Sequence, residues 1–253
     1  MTLPDHSVRS RLSGADTVVL CVHGIQGSPD QFDWLVETIP DRIDHLCILL
    51  PGHGKTTREF SAVSWREWLD HVVDVYRDLS SRYSRIIYVG HSMGCLLGII
   101  AATETAAWDS MLLLACPLKL RPTIRYFSNN MKSLGRPDLS DPFVCAAWNA
   151  NSVRANSAFS YLSCLKPYLG LLRLIHMTKA KLNEIPVPMT VLHSEYDEIV
   201  SARSLQYFSN CERAKTGILP DSGHFYYTPE AREMVIDSLR SCCDRHIDGG
   251  VRS

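Results

Sequence analysis

A serine, a histidine and three carboxylates stand at positions in this 253-residue chain from which acyl-transfer chemistry could be run. The serine is Ser92, set in Gly90-His91-Ser92-Met93-Gly94 between the apolar runs Ile86–Val89 and Cys95–Ala102. This is a G-x-S-x-G pattern in a strand–turn–helix setting, a turn that holds the serine on a strained backbone with its hydroxyl presented outward. Gly90 and Gly94 leave room where a side chain would strike the neighbouring strand and helix, and Gly98 lets the helix lie close to the sheet. The competing reading is a glycine-containing turn with an incidental serine. The pattern alone does not separate the two; the flanking elements and the partners downstream favour a nucleophile.

A serine hydroxyl attacks only if a base takes its proton, and the base is usually an imidazole held in one tautomer by a carboxylate. Between Ser92 and the C-terminal His246 stand His176, His193 and His224. His193 ends a strand pattern. His224 lies in Asp221-Ser-Gly-His-Phe225, a loop between the last strand and the last helix, from which it can reach the edge of the sheet where Ser92 projects. His224 is therefore the expected base. The stretch Leu192–Val200 offers Glu195, Asp197 and Glu198 as the acid. Asp197, in the turn after the strand, is preferred by position, with plain turn formation as its bland alternative.

The tetrahedral oxyanion needs backbone N–H donors aimed at it. One follows the nucleophile, which makes it Met93. The second is expected in His23-Gly24-Ile25-Gln26-Gly27, where Ile25 is the best candidate and Gly24 and Gly27 let the loop bend toward Ser92. Gly24 and His91 are assigned to the substrate pocket, although packing explains His91 equally well. His53, in Pro51-Gly-His-Gly54, reads as structural, and Trp65 and Trp68 as core.

These residues must be positioned by strands alternating with helices. Strand patterns fall at Asp16–His23, His45–Leu50, Arg85–Val89, Met111–Cys116, Pro188–His193 and Lys215–Pro220. Apolar residues at helical spacing follow Ser28, Ser64 and Thr228. Ser28 with Gln31 and Ser64 with Glu67 read as capping boxes, and Pro29 and Pro229 as first helical residues. The alternation predicts an α/β fold with a mostly parallel sheet of about six strands covered on both faces. Residues 1–15 read as a short polar arm. From Leu118 to Val187 the alternation stops, and ten Lys or Arg against three acids give that stretch a formal charge of +7. Residues 1–117 and 186–253 are thus expected to form the core and 118–185 a helical cap. Within the cap, Pro167 should begin a helix, and the leucines and tyrosines of 161–177 either line a pocket or bury the cap on the core.

Length and composition suit one globular domain. The net charge of −1 gives no nucleic-acid signature. No apolar run approaches the roughly 18 residues of a spanning helix, and the N-terminus has no signal-peptide pattern. Nine cysteines, an odd number with several in apolar runs, fit reduced thiols of a cytoplasmic protein better than a disulfide framework. No metal-ligand spacing is present and no cofactor is called for.

His23-Gly-x-x-Gly-Ser-Pro29, Gly90-His-Ser-Met-Gly94, Asp197-x-x-Val200 and Ser222-Gly-His224 together resemble the α/β-hydrolase superfamily, within it the carboxylesterase and monoacylglycerol-lipase-like serine hydrolases. The resemblance covers residues 16–116 and 188–245 in order. It implies a Ser92–Asp197–His224 triad, an oxyanion hole from Ile25 and Met93, and a cap over the site. It also implies cleavage of short- to medium-chain acyl esters or monoacylglycerols through an acyl-enzyme on Ser92. The chain departs from the pattern at Cys95, where many relatives have glycine and where a side chain should face the sheet, and it begins at what would be the third strand of the full fold. A thioesterase, aminopeptidase or C–C hydrolase using the same triad is the alternative, and a non-catalytic binding protein the remaining one. A small-molecule ester is the expected partner, and the basic cap leaves a peripheral membrane contact open. Oligomeric state is not legible.

Overall fold

The computed structural model describes residues 8–121, 139–153 and 164–244. Leucine-rich and β-branched runs without alternation form the central strands, buried on both faces as in parallel sheets covered by helices. The strands are β1 (Arg9–Arg11), β2 (Thr17–Val22), β3 (Asp44–Ile48), β4 (Arg85–His91), β5 (Ser110–Leu114), β6 (Met189–Ser194) and β7 (Ala214–Leu219). They form one sheet in the order β1-β3-β2-β4-β5-β6-β7, parallel throughout except at β1. All loops that follow β2 to β7 therefore leave at the same edge.

The six expected strands are all present; the seventh, β1, corrects the reading of residues 1–15 as a free arm. Its Arg-Ser-Arg sequence carries no apolar signal because polar contacts hold it. Arg11 donates to the carbonyls of Ile39, Pro40 and Ile43 at 3.0, 2.8 and 2.7 Å. Just beyond the strand, buried Asp44 accepts Ser13 N–H at 2.8 Å, Ser13 Oγ–H at 2.6 Å and Tyr83 O–H at 2.9 Å. These bonds hold the Asp44 carboxyl well below the usual carboxylate range against the opposing effect of its burial.

The helices are α1 (Asp33–Val36), α2 (Thr57–Ala62), α3 (Trp65–Ser80), α4 (Met93–Glu104), α5 (Pro142–Ala150), α6 (Leu165–Lys181) and α7 (Pro229–Asp244). Alternate strand residues supply two cores. Val18, Leu20, Tyr88, Met111 and Val191 pack with Trp68, Leu69, Leu96 and Ile99 of α3 and α4, while Val19, Cys21, Ile87, Val89 and Leu112 pack with Leu35, Val235 and Leu239 of α1 and α7. Each fully buried Leu, Ile or Val contributes roughly 1.5–3 kcal/mol.

The Ser64–Glu67 capping box forms as expected, and a second one, Thr56 with Glu59, starts α2, which the sequence reading did not foresee. The Ser28 box does not form. Ser28 opens a 3-10 turn, Pro29–Phe32, with no side-chain cap, and its hydroxyl donates instead to Ala150 O at 3.1 Å. Between β5 and β6 the chain leaves the sheet and contributes α5 and α6. Pro167 sits in the first turn of α6, where its missing N–H has no intrahelical acceptor to lose. Tyr161 and the basic residues Arg125, Lys132, Arg136 and Arg154 lie outside the described residues.

Candidate active site

Ser92 sits between the last residue of β4 and the first of α4 with φ 51° and ψ −119°. A non-glycine residue there stores of order 1–3 kcal/mol of backbone strain, which the surrounding packing must hold. The packing is close. A Cβ on Gly94 would lie 2.0 Å from Val22 O, and one on Gly90 would lie 2.8 Å from Cys95 N. The start of α4 thus abuts the end of β2. Cys95 is fully buried, with its Sγ donating toward Gly90 O and Leu114 O at 3.1 and 3.2 Å, so it faces the sheet as expected.

The loops after β6 and β7 bring Asp197 and His224 together. Asp197 Oδ2 accepts His224 Nδ1–H at 2.8 Å, and its Oδ1 accepts the backbone N–H groups of Ile199 and Val200 at 2.9 and 2.8 Å. A carboxylate with these donors stays ionised: its burial works the other way, yet the imidazole and the amides hold its pKa below the usual value. For His224, burial disfavours the imidazolium, but Asp197 outweighs it and the net pKa is raised. With Nδ1 donating to Asp197, the neutral ring presents Nε2 as its basic nitrogen.

The geometry sorts the three carboxylates left open by the sequence. Asp197 meets the imidazole. Glu198, buried, accepts the His224 backbone N–H at 2.8 Å. Glu195 accepts the Asp221 N–H at 3.2 Å, where Asp221 turns the chain with φ 49°. His193 is buried in β6 with Nε2 donating to Val200 O at 3.2 Å, and His176 is exposed on α6.

His91 is 2 % exposed. Its ring lies 4.8 Å from that of His224, and its Nε2–H donates to His224 O at 2.9 Å. Burial, helped by the neighbouring His224, pushes its pKa down to about 3, so it is neutral.

The loop after β2 lies against Ser92: a Cβ on Gly24 would be 2.8 Å from Ser92 Cβ and 3.4 Å from its Oγ. Its shape is fixed from the side by two neutral histidines. His23 accepts Leu50 N–H on Nε2 at 3.0 Å and donates from Nδ1 to Gly24 O at 2.8 Å. His53 accepts Gln26 N–H on Nε2 at 3.0 Å and donates from Nδ1 to Pro51 O at 3.2 Å. Burial lowers the His53 pKa to about 4. The Gln26 amide, at φ 57°, is thereby committed to His53. Ile25 precedes it in the same turn, and Met93, as the first residue of α4, has no intrahelical acceptor for its N–H.

Residues of the segment between β5 and β6 touch these loops. Ser152 N–H donates to Gln26 O at 2.8 Å, its hydroxyl donates to Gly27 O at 2.5 Å, and the same oxygen accepts Gly54 N–H at 3.1 Å. Tyr168 of α6 donates to the Gln26 side-chain oxygen at 3.2 Å. Phe143 of α5 packs on Tyr226 with ring centroids 4.7 Å apart. The contributions of Glu198, His23 and Ser152 were missed from the sequence. The signal for His23 and His53 was topological: each lies in the loop that follows one of the parallel neighbours β2 and β3, so the two loops meet.

The sequence pattern of the alpha/beta hydrolase family matches residues 19–237, and the chain belongs to that family. Over 193 residues it is 26 % identical to the thermostable monoacylglycerol lipase of Bacillus sp. (strain H-257), which covers 72 % of this chain and 71 % of the relative. Among solved structures it is similar to one of the metagenome-derived lipolytic enzymes LipS and LipT, with a TM-score of 0.72 and 19 % identity over 97 % of this chain and 100 % of the other. It is also similar to a meta-cleavage product hydrolase from Pseudomonas fluorescens IP01, with a TM-score of 0.65 and 16 % identity over 92 % and 93 % of the two chains. These structures share the α/β-hydrolase fold.

Proposed function

We propose that the protein is a serine hydrolase that cleaves carboxylic ester bonds, with Ser92 as nucleophile, His224 as base and Asp197 as the group that orients and charges the base. The observation that carries this reading is the buried His224–Asp197 pair at 2.8 Å, at the sheet edge where the strained Ser92 emerges. Ser92 Oγ attacks the ester carbonyl carbon while His224 Nε2 takes its proton. The C–O bond then breaks, and the alcohol leaves with that proton. Water attacks the acyl-enzyme while giving a proton to His224, and the Ser92 ester bond breaks as His224 returns that proton to Ser92 Oγ, releasing the acid. The backbone N–H groups of Ile25 and Met93 receive the oxyanion in both halves of the cycle. Gly24 lines the acyl carbonyl site. His91 and Glu198 position the base rather than touch substrate.

Residues 118–185 act as a cap on the core formed by 1–117 and 186–253. Short- to medium-chain acyl esters and monoacylglycerols are the preferred substrates, a class supported by the monoacylglycerol lipase relative. The free thiols, among them the facing Cys21 and Cys47 of neighbouring strands, support a reducing, cytoplasmic setting.

A fluorophosphonate probe should label the protein at Ser92, and Ser92→Ala should remove both labelling and turnover, lowering kcat by about 10⁴ or more. Absence of labelling in the folded protein would overturn the reading. Labelling without turnover of p-nitrophenyl esters or monoacylglycerols, but with turnover of acyl-thioesters, aminoacyl anilides or vinylogous diketones, would move the chemistry to another bond.

A further inference from the structure

We propose that the outward face of α6 seats the protein on an anionic lipid surface. Leu165, Leu169 and Leu172 recur at helical spacing on that face and are 62 %, 55 % and 53 % exposed, three of the most exposed large apolar side chains among the described residues. The opposite face, Leu171, Leu174 and Thr178, is buried, so α6 does not need the three leucines to hold its place in the fold. A stripe of this kind left in water marks a contact surface.

Charge chooses the partner. The helix Leu165–Lys181 contains no Asp or Glu. Lys166, Arg173, His176 and Lys179 are exposed around the leucines. Arg173 and Arg66 both approach the Trp65 ring, at 5.9 and 4.6 Å, which carries the basic rim onto the first turn of α3. The acid of that turn, Glu67, accepts in the Ser64 capping box and is offset by the neighbouring Lys166, so the net charge of the rim rests on Arg66, Arg173 and Lys179. At the other end Lys179 lies 4.5 Å over the ring of half-exposed Tyr207. Apolar side chains ringed by Lys, Arg and a tyrosine match the boundary between acyl chains and anionic headgroups. A second protein copy would bring like charge against like.

The seat is joined to the site. Tyr168, on the flank of the same helix, donates to the Gln26 side chain in the loop beside Ser92. Resting on a bilayer, the protein would draw its acyl esters from the lipid phase. That consequence rests on the hydrolase reading; the docking itself does not.

Sedimentation with vesicles tests it. The protein should bind vesicles of mixed phosphatidylcholine and phosphatidylglycerol, bind pure phosphatidylcholine weakly, and lose binding as salt is raised. The triple variant Leu165→Ser, Leu169→Ser, Leu172→Ser should bind at least tenfold more weakly with an unchanged thermal midpoint. Arg173→Gln and Lys179→Gln should each cost about fivefold. Ser92→Ala should bind like the parent protein, which separates this result from any failure of the hydrolase reading. No binding to the mixed vesicles, equal binding by the variants, or a dimer in sedimentation equilibrium that the serine variants dissolve while vesicle binding is absent, would each overturn the proposal.

Discussion

The imidazole of His91 is bonded to the peptide of His224: its Nε2–H reaches the His224 carbonyl at 2.9 Å, while Glu198 takes the N–H of the same residue at 2.8 Å. The backbone of His224, the proposed base, is gripped on both sides, once from the residue that precedes Ser92 and once from the residue that follows Asp197. His91→Ala should therefore lower kcat by about 10–10²-fold with little change in KM, because small misplacements of a reacting group cost on that scale. Glu198→Gln keeps an acceptor oxygen and should retain most activity, whereas Glu198→Ala should not. Steady-state kinetics on a soluble ester reads both.

The pH profile has a predicted sign. As the proposed base, His224 must be neutral to act, and its pKa is raised above 6.5 by Asp197 against the opposing effect of burial. The acid limb of kcat/KM should therefore have its midpoint above 6.5. In Asp197→Asn the charge is gone while burial remains, so the residual activity should show that limb at lower pH, with kcat down by about 10⁴. His91, held near 3, should contribute no limb in the neutral range. The same shift bears on stability: the His224 contribution is fully present below pH 6.5 while Asp197 stays ionised, and is lost as pH rises through the folded His224 value, whereas the Asp197 contribution is lost at the acid end as its carboxylate protonates.

Gly24→Ala should separate activity from folding. Its Cβ would press on Ser92 Cβ at 2.8 Å, displacing the proposed nucleophile against the loop after β2. Activity should drop by about 10²-fold, with a modest loss in thermal midpoint. Gly94→Ala, whose Cβ would lie 2.0 Å from Val22 O, should instead fail to accumulate as folded protein.

Ser152→Ala removes a hydroxyl that bonds Gly27 O and Gly54 N–H together. Leaving those groups without a partner should cost about 1–3 kcal/mol, read by chemical denaturation. Because Gln26 and Gly27 belong to the loop beside Ser92, the variant should also turn over more slowly.

Asp44 offers a test remote from the site. Asp44→Ala leaves the Tyr83 hydroxyl and the Ser13 and Gly14 amides without their acceptor and should cost about 2–4 kcal/mol. With a carboxyl held below the usual 3.8, the wild-type contribution is present above that pH and is lost as pH falls through the folded value.

The central strands and the turn at Ser92 were legible because burial on both faces imposes unbroken apolar runs, and because a positive φ at Ser92 with α4 hard against β2 demands glycine on either side. Asp197 was distinguishable from Glu195 and Glu198 only by its place in the turn; the three differ by which N–H each meets, and that is decided by the fold of two loops from distant parts of the chain. The 3-10 turn after Ser28 escaped because the serine hydroxyl serves Ala150, more than a hundred residues away, in preference to its own helix. The clamp on His224 escaped because each bond ends on backbone, which no side-chain pattern announces. β1 escaped for the opposite reason to the core strands, being held by arginine and serine instead of burial.

That small strand has a consequence for how the protein behaves outside its native state. By pairing antiparallel with β3 through Arg9, Ser10 and Arg11, it occupies the ladder positions that β3 would otherwise leave open at the rim of the sheet. Removing the first dozen residues would strip β3 of that cover and offer its amides and carbonyls to other chains, turning a protected rim into a seed for edge-to-edge aggregation.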